Sequence, residues 1–332
     1  MKSKKNTPLA YLQEEPTYIK SLNLKEIPRG SIKKFWFHLV TDGMGRPIHI
    51  PIIVARGMEA GDVLGVSAAV HGNELNGIQV IQRLFKEIDP KQLKGTIVGI
   101  PVMNSPSYLL KKRRFIDQVD LNHIMPGVED GNVSQVYAHR FVHQIVKHFD
   151  YLIDLHTASF GRINSYYIRA DLKNPITRKM AMLQQGQIVV HKPASDGTLR
   201  GAADAMDIPS VTTEVGNPNV FQKGMIRYSL TGVLNFLIYQ GMIEGEIQEP
   251  EVPAIICKSS YWIYTDTGGM LKVEPKATEM VKKGQVIAYL YDVFGKKIKR
   301  YYAPEDGIVI GKNVNPVAQT GSRILHLGIL KD

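Results

Sequence analysis

The chain has 332 residues, 44% of them hydrophobic, and a formal charge of +10. That length can bury one large core with a smaller unit beside it, and no apolar run approaches the roughly 20 residues that cross a bilayer. A single cysteine, Cys257, excludes an internal disulfide framework and an all-thiolate metal site, so a bound metal has to use imidazole and carboxylate.

Residues 1–7 are too short and too polar for a signal peptide, which points to a cytoplasmic protein without a membrane partner. Basic residues clump at Lys2, Lys4 and Lys5, at 111–114, at Lys282 and Lys283, and at 296–300. They read as a solvated face or as steering of an anionic substrate. No aromatic-interleaved RNA pattern and no helix-turn-helix accompanies them, so no nucleic-acid partner is expected.

In chain order, residues 33–41, 48–55 and 63–70 carry the alternating or continuous apolar runs of three strands. Asp42-Gly43-Met44-Gly45 marks a hairpin turn between the first two. Apolar residues at 78, 80, 81, 84 and 85 predict a helix over 75–88. GTIVGIPV (95–102) reads as a buried strand, 135–148 as a helix and DYLIDL (150–155) as another strand. A helix over 174–186, a strand over 187–191, a helix over 197–206, a strand over 210–214 and a long amphipathic helix over 221–240 complete this part. The alternation predicts an α/β sheet. The acidic, proline-flanked segment EGEIQEPEVP (244–253) reads as a linker. Short β-like runs spaced by glycine and proline follow it, so the chain divides into residues 1–250, with an N-terminal β extension, and an all-β unit over 251–332.

In an open α/β sheet, ligands bind beyond the carboxyl ends of strands. His71 and Glu74 follow the strand at 63–70, His156 follows DYLIDL, and Glu214 follows 210–213. If these strands are parallel neighbours, the four side chains converge. Two imidazoles and one carboxylate make the three-ligand set of a catalytic zinc site, and Glu214 is the candidate proton-transfer base. A lone His-x-x-Glu is common by chance; three strand-end sites of complementary chemistry are not.

HGNE (71–74), DLN (120–122), MPG (125–127), DLHT (154–157) and TEVG (213–216) occur in that order. Together they resemble the succinylglutamate desuccinylase/aspartoacylase family of zinc carboxypeptidase-like hydrolases, over most of residues 63–216. The resemblance implies a mixed sheet flanked by helices. It implies one Zn2+ per chain held by His71, Glu74 and His156, with Glu214 as general acid/base. It also matches Asn104, Arg113 and Asn122 to positions that serve the substrate, with Arg114 as the alternative arginine, and a guanidinium fixed near the zinc at Arg113 would steady the developing oxyanion. Family members commonly read DLNR; here His123 stands in place of that arginine. Imidazole cannot reproduce a bidentate guanidinium clamp on a carboxylate, which leaves the substrate's identity open. Arg162 and Arg200 are candidates for a replacement cation, and Asp154 for a carboxylate that orients a ligand.

His139, His143 and His148 fall on one predicted helix but lack the carboxylate of an HExxH site and read as a helix face. His38, His49, His191 and His326 are isolated, with structural or surface roles as the default reading. The tail resembles the barrel-sandwich folds of lipoyl and biotinyl carriers. Its hairpin tip reads DVFGKK, without the usual lysine context, so no attachment at Lys296 is expected. The reading that follows is a zinc-dependent amidohydrolase acting on a small N-acylated amino acid or related molecule, with room for a homo-oligomer. A metallocarboxypeptidase acting on peptides and a basic binding protein on an inert metal-site fold are the rivals.

Overall fold

The computed structural model describes residues 14–159, 161–195 and 197–331; Lys2, Lys4 and Lys5 lie outside that set. Strands β1 (Thr17–Ile19), β2 (Ser31–Thr41), β3 (Pro47–Arg56) and β4 (Glu59–Ala68) precede helix α1 (Asn76–Glu87), β5 (Lys94–Ile100) and the short helix α2 (Ser105–Leu109). Helix α3 (Val133–Gln144) leads to β6 (Tyr151–His156), β7 (Arg162–Asn164) and β8 (Tyr166–Ala170). Then come α4 (Pro175–Leu183), β9 (Ile188–His191), α5 (Leu199–Asp204), β10 (Ser210–Val215) and α6 (Lys223–Tyr239). After an irregular stretch over 244–253 only strands follow. These are β11 (Ile255–Tyr264), β12 (Gly269–Val273), β13 (Met280–Val281), β14 (Val286–Tyr291), β15 (Lys297–Tyr302), β16 (Gly307–Asn313), β17 (Val317–Ala318) and β18 (Arg323–Leu330).

The large sheet runs in the order β1-β2-β3-β5-β4-β6-β10-β8-β9-β11-β18-β16-β13, with β7 paired to β16. At its centre β4, β6 and β10 are parallel neighbours. Their apolar residues alternate between two cores. Leu64, Val66, Ile153 and Leu155 pack under α1, α4 and α6, against Val80, Leu84, Met180 and Phe236. Val63 and Leu152 pack under α3 and α5, in the cluster of Tyr137, Phe141 and Leu199. Burial on both faces is why these strands read as continuous apolar runs. The sheet continues into the C-terminal strands through the parallel pair β9 and β11. There β12, β14, β15 and β17 form a second sheet, closed on β16 and β18 around Leu271, Ile287, Leu290, Leu325 and Leu327. The mixed sheet flanked by helices and the all-β C-terminal part are as expected from sequence.

Differences lie at the edges of elements. The helix expected over 135–148 starts earlier, because the Asn132 side chain accepts from the Gln135 N–H while the Gln135 side chain accepts from the Asn132 N–H, a capping box. It ends at Gln144, with a separate 3-10 turn over Val146–His148. His156 and Glu214 lie inside β6 and β10 rather than beyond them, where they are register partners of one another. Strands β7 and β8 and helix α2 have no counterpart in the sequence reading. No helix among the described residues is long and apolar enough to cross a membrane.

Candidate functional site

Strand β4 ends at Ala68, and Ala69 takes the left-handed conformation, φ 52°, a geometry uncommon for a residue with a Cβ. The turn it starts brings His71 back over the carboxyl ends of β4 and β6. Gly72 has no room for a side chain: a Cβ there would lie 2.1 Å from the Ser107 carbonyl carbon of α2. Glu74 then reaches both imidazoles. His71 Nδ1 is 2.8 Å from Glu74 Oε1 and His156 Nδ1 is 3.0 Å from Glu74 Oε2. One donor atom from each of the three residues lies within 4.8 Å of the others, and all three residues are buried. The Thr157 N–H donates to Glu74 Oε2 at 3.1 Å.

Each imidazole is also held from behind. His71 Nε2 faces Asp120 Oδ1 at 3.1 Å and His156 Nε2 faces Asp154 Oδ2 at 2.7 Å. The Ser67 hydroxyl donates to Asp154 Oδ1 at 2.7 Å. A carboxylate on the outer nitrogen fixes the tautomer and turns the inner nitrogen toward a common point. Burial by itself would raise the Glu74 carboxyl, but the His71 and His156 imidazoles outweigh it and hold it well below the usual range. Burial opposes charge on His156 too, yet Asp154 and Glu74 carry it well above an ordinary histidine. Two inward imidazole nitrogens and one carboxylate, oriented this way, are the donor chemistry of a divalent cation of the zinc type, and the residues present fit such an ion.

Arg113 hangs over this group. Its Nη1 is 3.3 Å from both Glu74 Oε1 and His71 Nδ1, and it also donates to the Ser159 hydroxyl. Its Nε donates to Asp120 Oδ2 at 2.9 Å, so Asp120 ties Arg113 and His71 together. Burial would raise the Asp120 carboxyl; His71 and Arg113 hold it far below its ordinary value. Glu214 approaches from β10. Arg169 Nη2 donates to Glu214 Oε1 at 2.6 Å and Asn164 Nδ2 to Oε2 at 3.1 Å.

These groups open on a cavity of about 560 Å³, which Arg114, Asn122, His123, Arg162 and Arg200 also line. Arg114 and His123 sit at its exposed rim. Asn122 is partly committed, its amide oxygen accepting from the Leu199 N–H at 2.8 Å at the start of α5. Arg200 is buried with its guanidinium donating to the carbonyls of Arg169, Lys192 and Pro193, the pattern of a structural strut. Asn104 is not in the cavity wall: it is fully buried, bonds the Val70 carbonyl and caps α2 through the Ser107 N–H. His139 and His143 lie beside each other on α3, ring centroids 4.3 Å apart and planes tilted by 41°, outside the cavity.

Sequence reasoning missed Asp120, Asn164 and Arg169, and treated His326 as isolated although it lines the cavity. Asp120 stood inside a recognised block but received no role. Asn164 and Arg169 sit on β7 and β8, short strands that gave no periodic signal.

The fold and the buried group of His71, Glu74 and His156 at the carboxyl ends of β4 and β6 define an α/β protein with a candidate metal centre in its cavity. A model of the succinylglutamate desuccinylase/aspartoacylase catalytic domain matches residues 60–240, and the chain belongs to that family, by which it is an enzyme of the deacylase kind. N-alpha-acetyl-L-2,4-diaminobutyric acid deacetylase of Halomonas elongata is 24% identical over 290 residues, 83% of this chain and 84% of that protein. The product-bound ectoine utilization protein EutE of Ruegeria pomeroyi shares the fold with a TM-score of 0.84 at 20% identity, covering 92% of this chain and 98% of that one. A succinylglutamate desuccinylase/aspartoacylase of Rhodobacter sphaeroides gives 0.83 at 20% identity, with the same coverage.

Proposed function

We propose that the protein hydrolyses the amide bond of an N-acylated amino acid or a closely related small molecule. The observation that carries this reading is the buried group of His71, Glu74 and His156, with one donor from each within 4.8 Å, beside a carboxylate that takes no part in that group. The three residues would hold one zinc ion, which when bound polarises a carbonyl and lowers the pKa of a coordinated water toward about 7.

The chain's own residues account for the remaining work. The Glu214 carboxylate takes a proton from the attacking water as the water oxygen bonds to the acyl carbon. It returns that proton to the nitrogen as the C–N bond breaks, releasing a carboxylic acid and an amine. Asn164 and Arg169 hold Glu214 at its two oxygens. Arg113, fixed by Asp120, presents N–H donors to the oxygen on which negative charge develops. Arg114, Asn122, His123 and Arg162 border the same cavity and are the groups available to a substrate carboxylate. In this reading residues 1–250 are the catalytic unit, and the all-β unit over 251–332 completes the cavity wall. The activity named for the Halomonas elongata relative, removal of an acetyl group from a small amino acid derivative, supports a small N-acyl compound over a peptide.

The test is a hydrolysis screen of N-acyl amino acids on metal-replete protein, comparing the parent with Glu214→Gln. The variant is expected to keep its metal and to lose at least about a hundredfold in kcat, the usual contribution of a general acid/base. Substantial residual turnover removes Glu214 from its role.

A further inference from the structure

Two further pairs of neighbouring histidines lie outside the hydrolytic cavity, His38 with His49 and His139 with His143. The members of the first pair read as isolated residues in the sequence. In the fold they are register partners on the antiparallel strands β2 and β3, with ring centroids 5.6 Å apart and planes tilted by 53°.

The strands explain the meeting. Phe37, Leu39, Ile50 and Ile52 point into one core, which leaves Trp36, His38, His49 and Pro51 together on the opposite face. The ladder register shifts between His38 and Val40, so Leu39 is an extra residue. Such a bulge re-aims the side chain beside it. Tyr18 of β1, the register partner of Trp36, reaches across β2 and sets its ring edge-on to His49, centroids 4.9 Å apart. His38 Nε2 faces the Thr41 hydroxyl at 3.1 Å. With the Thr41 oxygen accepting from Nε2, Nδ1 keeps a free lone pair. Tyr18, Lys20, His38, Thr41 and His49 border a depression of about 310 Å³, separate from the hydrolytic cavity.

The spacing is that of a chelate. An imidazole nitrogen binds a zinc-type cation at about 2.0–2.1 Å, so two rings sharing one tetrahedral ion hold their centroids roughly 5 Å apart. His71 and His156, the two rings of the candidate metal centre, are 5.2 Å apart and tilted by 61°. His38 and His49 differ from that arrangement by only a small side-chain rotation. His139 and His143, at 4.3 Å, are closer than a shared tetrahedral ion requires, and the Lys147 ammonium disfavours positive charge at His143. Two imidazoles without a carboxylate discriminate among cations. Magnesium and calcium want oxygen ligands, whereas imidazole suits copper, nickel and zinc, with copper held most strongly. Lys20 alone among the bordering residues is cationic, and it is exposed, so solvent and salt screen it.

We infer that His38 and His49 form a second transition-metal site, preferring copper to nickel and zinc, on the face of the β2–β3 hairpin opposite Phe37 and Ile50. It is chemically distinct from the group of His71, Glu74 and His156, and it does not rest on the hydrolytic reading. Water completes the coordination from the open side, so the site holds its ion less tightly than the buried group.

The experiment titrates Cu2+ into the zinc-loaded full chain at neutral pH and follows copper uptake, zinc release and the electron paramagnetic resonance of the bound copper. One Cu2+ per chain is expected to bind without releasing zinc and to show hyperfine structure from two imidazole nitrogens, while Ni2+ and Zn2+ bind the same residues more weakly. His38→Gln and His49→Gln, both at partly exposed positions, are each expected to weaken copper binding at least about tenfold, since even a group standing behind a ligand is worth that much. Their zinc content and circular dichroism are expected to match the parent. Copper taken up only as zinc leaves, or undiminished uptake when both histidines are replaced, overturns the site. Loss of the copper in His143→Gln with retention in His38→Gln and His49→Gln puts the ion on α3 and overturns it equally. If the chain loads no zinc, the hydrolytic reading fails, and the copper titration of parent against the two variants still decides this site.

Discussion

Asp120 shows how closely single atoms are shared in the cavity. One of its oxygens faces His71 and the other holds Arg113, so a single carboxylate sets both an imidazole of the candidate metal-binding group and the guanidinium above it. Loss of that side chain would release both. His326 offers a residue-level effect that can be read in stability. Burial, and after it the cations Arg169, Arg323 and Arg162, lower it from 6.5 to about 3. The native ring therefore stays neutral where the unfolded chain takes up a proton. Stability from this group is fully present above about 6.5 and is lost progressively as the pH falls toward about 3, the direction linkage requires for a depressed pKa. Urea denaturation at pH 7 and pH 5 is expected to show a larger loss for the parent than for His326→Gln, which cannot titrate. Equal losses in the two proteins would show that the ring is not held neutral.

The turn between β4 and α1 is the element on which the donor group depends. Helix α1 begins hard against the sheet: a Cβ on Gly77 would lie 2.7 Å from the Leu155 Cβ and 2.9 Å from the Ala68 Cβ. Alanine is favoured over glycine inside a helix by about 1 kcal/mol, but overpacking a core costs about 1–3 kcal/mol. Here the crowding atoms are Cβ atoms fixed to two central strands, so overpacking wins. Gly77→Ala is expected to lower stability by about 1–2 kcal/mol in chemical denaturation and to weaken metal binding by shifting Glu74; a stabilised variant with unchanged metal affinity would refute the close approach. The central strands were legible because their apolar runs are buried on both faces, and His71, Glu74, His156 and Glu214 were legible because each interrupts or follows such a run. Strand β8 was not, since its Tyr-Tyr-Ile-Arg-Ala mixes core residues with Arg169, which turns to Glu214. Helix α2, five residues long, is shorter than two turns and leaves no period to detect.

Across the whole molecule the cavity is assembled from chain segments that sequence separates widely. The linker and change of composition near residue 250 suggest an appended unit, yet β9 pairs with β11 and β7 with β16, and so Trp262, Arg323 and His326 become part of the same cavity as His71. Such pairings leave no local trace, which is why His326 reads as an isolated histidine in the sequence and as a member of a charged wall in the fold. The same distance problem applies to the donor group, where residue 156 must meet residues 71 and 74. Metal content per chain, measured on zinc-loaded and desalted parent and His156→Ala proteins of verified fold, tests that meeting most directly. One zinc per parent chain and little in the variant is the expected result; equal, tightly held zinc in both would contradict the His71, Glu74 and His156 group as the metal centre.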